Sequence, residues 1–113
     1  MVPEARRAVG DVLERWSLAH ERPAFELVTS ELFTNAIRHG RGAITVRMEC
    51  DDEILRLEVC DQGGGRPTLQ PVDSSGSVIG GWGLHLVDQL AEAWGSEVRD
   101  GRTVVWVERA IRG

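Results

Sequence analysis

Glu31 and Asn35 stand four residues apart, and further along the chain lie Asp61-Gln62-Gly63-Gly64-Gly65 and Gly81-Trp82-Gly83-Leu84. A carboxylate and an amide one helical turn apart share a face, so they can share a metal and a water. Two glycine-rich turns let backbone close on a purine and its phosphates, because glycine carries no Cβ to hold them off. In this order the three segments have the chemistry of a nucleotide site. Each alone has a plainer reading: a solvated Glu beside a helix Asn, a turn-initiating Asp at a strand end, or a glycine pair that serves packing.

The elements that would position these groups follow from periodicity. Val9, Val12, Leu13 and Trp16 recur at helical spacing after Pro3, which suits a first turn, so a helix is expected over 3–16. A second helix is expected from Pro23 to Arg38, with Phe25, Val28, Leu32 and Ala36 inward, Glu31 and Asn35 flanking that stripe, and Gly40 as the stop. Alternation then takes over. Ile44, Val46 and Met48 form one strand and Leu55, Leu57 and Val59 the next, joined through Asp51-Asp52-Glu53.

A glycine-, serine- and proline-rich lid loop is expected over about 62–80, too long to be a mere connection. A third helix follows over 81–94, ended by Gly95, and its opening offers free N–H groups and a positive dipole end to phosphate. Asp100-Gly101 then reads as a type I′ turn between two last strands. The sum is an α+β two-layer sandwich: a four-stranded, mostly antiparallel sheet with three helices on one face. Val104 and Trp106 alternate with Thr103, Val105 and Val107, so one of these sets is expected on the open side, where a partner could meet it.

Composition excludes several chemistries. With 113 residues and 42% apolar content, residues 1–113 make one domain with one core. All 13 basic residues are arginine, and neither the P-loop nor the eukaryotic-type kinase fold works without its lysine, nor does Schiff-base catalysis. A net charge of −5, with arginines scattered among acids, argues against direct nucleic-acid binding. No run approaches the roughly 18 apolar residues of a membrane span, and the first residues hold no apolar signal core, so a cytoplasmic setting is expected. Cys50 and Cys60 fall at opposite ends of the first hairpin, ~20 Å apart at strand rise, and should be free thiols. His20 and His85 lack partners at ligand spacing, and His39 reads as a helix-end residue.

Glu31-x-x-x-Asn35, Asp61-x-Gly63-x-Gly65 and Gly81-x-Gly83-Leu84 resemble the N, G1 and G2 boxes of the GHKL, or Bergerat-fold, ATPases. The fuller strings Glu31-Leu-Phe-Thr-Asn35-Ala-Ile-Arg-His39-Gly40 and Gly81-Trp-Gly83-Leu-His-Leu-Val87 most resemble the anti-sigma factor serine/threonine kinases. The resemblance spans nearly the whole chain. It implies ATP with Mg2+ as cofactors, Asn35 as the magnesium ligand bridging to the phosphates, and Glu31 as the general base. It implies that Asp61 accepts a hydrogen bond from the adenine amino group, that Gly63 and Gly65 let backbone approach the purine, and that Gly81, Gly83 and Leu84 form the phosphate cradle. Thr103 resembles the strand threonine or serine that supports the adenine-side aspartate.

The implied function is an ATP-binding kinase that phosphorylates an anti-sigma factor antagonist and binds a sigma factor; homodimerisation stays open. Two alternatives stand beside it: a non-catalytic ATP-dependent protein-binding module, and the isolated ATPase domain of a histidine kinase. Two departures from the pattern bear on the choice. The resembled kinases carry a strand before the first helix, where here two residues precede Pro3, and they often place a cation near the G2 box, where here no arginine or lysine lies between Arg66 and Arg99. Phosphoryl transfer usually uses such a cation to neutralise developing charge.

Overall fold

The first helix, α1 (Val2–Arg15), ends without a glycine. Ser17 takes the left-handed conformation instead, at φ +62°. Its N–H donates to the Glu14 carbonyl (3.1 Å) and that of Leu18 to the Leu13 carbonyl (2.7 Å). This pair of bonds is the Schellman arrangement, which satisfies carbonyls the helix leaves free. Trp16 therefore falls past the helix rather than on its inward stripe, and is 38% exposed. A 3-10 turn, Ala19–Glu21, then leads into α2 (Arg22–His39). The computed structural model describes residues 2–39, 42–63 and 87–111.

The stripe expected along α2 forms as read: Phe25, Val28, Leu32 and Ala36 are buried, joined by Thr29, whose hydroxyl donates to the Phe25 carbonyl at 2.6 Å. Val9 and Leu13 of α1 complete the helical half of the core. Arg22 clamps the two helices. Its guanidinium lies over Gly10 of α1, where a Cβ would stand under 3.0 Å from it, and it pairs with Glu26 (2.9 Å), Asp11 (3.7 Å) and Glu14.

The strands β1 (Thr45–Cys50), β2 (Ile54–Asp61), β3 (Ala93–Arg99) and β4 (Arg102–Ala110) form one antiparallel sheet in the order β1-β2-β4-β3. Leu55, Leu57 and Val59 of β2 and Val105 and Val107 of β4 face the helices and close the core with Val87. Among the described residues the helices lie on that face, as expected for the two-layer sandwich. An open apolar groove of about 620 Å³ runs between α1 and β1, floored by Val9, Phe33, Val46 and Met48.

The third helix departs from expectation at its end. Described residues are helical over 87–90, and β3 begins at Ala93, so Trp94 and Gly95 are strand residues. The cause is pairing with β4: the Glu92 N–H donates to the Glu108 carbonyl (2.8 Å), and Trp94 and Gly95 sit opposite Val107 and Trp106. A Cβ at Gly95 would meet the Trp106 indole at 3.0 Å, so this glycine makes room for a ring rather than stopping a helix.

On the other side of the sheet the expected apolar set is largely covered. Val104 is 2% exposed, and the Arg56 guanidinium lies 4.6 Å from the centre of the Trp106 ring, a cation–π contact. Arg56 bonds to Glu58 (2.9 Å) and Glu108 (2.7 Å), and Arg99 reaches across from β3 to Glu58 (3.2 Å) and Glu97 (2.9 Å). Burial pushes the Glu58 carboxyl up, but the hydrogen bonds from Arg99 and Arg56 outweigh it and hold it below its ordinary 4.5. Cys50 and Cys60 are free, as expected from their places at the two ends of the β1–β2 pair.

Candidate functional site

Asn35 and Glu31 lie one turn apart near the end of α2, Asn35 buried at 8% exposure and Glu31 half-buried. At about 100° per residue, Phe33 turns toward the α1 groove, so Asn35 and Glu31 occupy the opposite flank of α2. The helix ends at His39 and β1 starts at Thr45, the register partner of Cys60. Asn35 and Asp61 are thereby delivered to the same end of the sheet. Gly42 lies so close to the Gln62 side chain that a Cβ on it would stand under 3.0 Å from the side-chain oxygen.

Asp61 closes β2. It is 5% exposed and sits opposite Thr103 of β4, which is 3% exposed. Its Oδ1 accepts the Gly63 N–H at 2.6 Å. A carboxylate has about four acceptor positions, so one such bond fixes the group and leaves it able to accept from a second donor. Gly63 has φ +87°, open to glycine and strained for other residues, and a Cβ on it would stand under 3.0 Å from the Gly101 carbonyl oxygen. Two of the expected base-side residues, Asp61 and Gly63, are thus tied together, with Thr103 in register beside them. Gly65, Gly81, Gly83 and Leu84, with the lid over about 62–80 beyond Gly63, lie outside the described residues, as do Trp82 and His85.

The groups present fit ATP with magnesium. Asn35 offers a hard oxygen, the ligand type Mg2+ takes while keeping its remaining positions for water and phosphate oxygen, and the Glu31 carboxylate one turn away can accept a proton. No cluster of three or more His, Cys, Asp or Glu side chains forms a metal cage among the described residues. Asp61, an acceptor, matches an exocyclic amino group and not a carbonyl oxygen.

Gly101 enters this site unannounced by the sequence. Asp100-Gly101 reads there as a hairpin turn, and nothing in one dimension places its carbonyl against Gly63. Nor does the sequence show Arg109 pairing with the buried Glu21 (2.7 Å) and donating to the Leu90 carbonyl, which tethers the segment 87–90 to β4.

A family profile described as the histidine kinase-like ATPase domain matches residues 1–109. No curated protein matches the chain. Among solved structures, the Acinetobacter baumannii histidine kinase AdeS superposes with a TM-score of 0.60 at 20% identity, over 81% of this chain and 48% of that one. This chain spans about half of that structure, and at such identity the likeness is one of fold. Among the described residues no helix is long and apolar enough to cross a membrane.

Proposed function

Because this chain belongs to the histidine kinase-like ATPase domain family, we propose that it binds ATP with magnesium across the end of the sheet, between α2 and the strand ends that carry Asp61 and Thr103. The observation that carries the reading is the buried Asp61 carboxylate, held through one oxygen by the Gly63 N–H at 2.6 Å. Bound ATP with magnesium supplies a transferable phosphoryl group. The chain's own residues then divide the work. Asp61 accepts the adenine amino hydrogen, Asn35 offers its amide oxygen to the cation, and Glu31 is placed to take a proton from a water or a substrate hydroxyl.

The family match and the fold support an ATPase domain of the kind that histidine kinases carry. A narrower reading is a serine/threonine kinase acting on an anti-sigma factor antagonist and holding a sigma factor. Its support is the two fuller strings around Asn35 and Gly83. The stretch from Arg66 to Arg99, free of arginine and lysine, favours nucleotide-gated protein binding over rapid turnover. Calorimetric titration of the purified protein with ATP, with and without Mg2+, and with GTP in parallel, tests the proposal. Magnesium-dependent, adenine-selective heat is the expected result, and no binding of either nucleotide would sink it.

A further inference from the structure

The turn joining β3 to β4 touches the base-side loop, and this contact supports an inference that rests on the nucleotide reading above. Asp100 and Gly101 have φ of +53° and +77°, the left-handed pair of a type I′ turn. That conformation sets where the Gly101 carbonyl points, and it points at Gly63, with no room for a Cβ between them. The Gly63 N–H in turn holds Asp61 Oδ1 at 2.6 Å. By contrast, a Cβ on Gly101 itself would meet nothing within 4 Å. A substitution there acts through the turn's backbone and not through any new contact.

We propose that Asp100-Gly101 is the positioning element for base recognition. The turn seats Gly63, Gly63 orients the Asp61 carboxylate, and the carboxylate distinguishes an adenine-type amino edge from a guanine-type carbonyl edge. Gly101 is in this sense a positioning residue that touches no nucleotide. Its nearest consequence is selectivity, because a displaced acceptor weakens the matched base more than the mismatched one.

The test compares Gly101→Ala, which opposes the positive φ, with Gly101→Asn, which tolerates it. Three readouts are taken: the ratio of ATP to GTP affinity, hydrogen exchange of the Gly63 amide by NMR in the nucleotide-free protein, and the melting temperature. Gly101→Ala should lower the affinity ratio by about tenfold and speed Gly63 exchange by a similar factor, while Gly101→Asn restores both. A Gly101→Ala protein that melts earlier yet keeps the wild-type ratio and exchange rate would reduce the turn to a structural role. Should that variant not fold, Asp100→Ala opposes the positive φ at the first turn position instead, and an unchanged ratio and exchange rate in it overturn the proposal. Wild-type protein that binds neither nucleotide overturns the nucleotide reading instead, and the Gly63 exchange comparison then decides the turn's hold on the loop separately.

Discussion

If ATP and magnesium bind as proposed, Asn35, Glu31 and Asp61 have separable duties, so their variants should fail in different ways. Asn35→Ala removes a hard oxygen ligand, and magnesium-dependent ATP binding should be lost in calorimetry while magnesium-free binding changes little. Asp61→Asn keeps shape but replaces half of the acceptor pair with a donor. It should cut the preference for ATP over GTP by roughly tenfold or more, the usual consequence of a mispaired buried polar group. Glu31→Ala should leave affinity within about twofold and abolish any turnover by a base-dependent route, as a phosphotransfer or hydrolysis assay would show. If all three variants kept wild-type affinity and selectivity, the site would lie elsewhere.

At the level of elements, the way α1 stops makes a direct prediction. Ser17 holds φ +62° in a position where glycine is the usual occupant. Ser17→Gly should therefore raise stability by about 0.5–1 kcal/mol, net of the extra freedom glycine gives the unfolded chain, and chemical denaturation would measure it. This stop was not legible in the sequence, because no Gly, Asn or Pro marks it. The strong signals were those in which local pattern and burial agree. The stripe on α2, the β1–β2 pair and the Asp100-Gly101 hairpin all lie where periodicity and turn chemistry place them. Trp94 and Gly95 read as a helix end in the sequence because apolar spacing over 84–91 runs smoothly into them, and only hydrogen bonding to β4 draws them into the sheet. Likewise the turn from Asp61 to Gly63 was legible from the glycine pattern, whereas the Gly101 contact was not, since it depends on the sheet order.

For the molecule as a whole, the open face of the sheet makes stability depend on acid. Hydrogen bonds from arginine hold Glu58 below 4.5 against the opposing effect of burial, and the backbone N–H groups of Glu53 and Ile54 hold Asp51 below 3.8. Both carboxyls are depressed on folding, so their contribution is fully present above these ordinary values and is lost as pH falls through the folded ones. Urea midpoints should stay level from pH 7 to about 5 and drop below about 4.5, and Glu58→Gln should flatten that drop while lowering the plateau. The same sheet also dictates when the protein becomes competent during synthesis. Glu31, Asn35 and Asp61 are all made before residue 62, yet β2 pairs on one side with β4, which begins only at Arg102. Until β4 emerges, a nascent chain has Leu55, Leu57 and Val59 on a bare strand edge and no Thr103 beside Asp61. It should be sticky and unable to hold nucleotide, so that ligand-assisted folding on the ribosome begins only once the β3–β4 hairpin has docked.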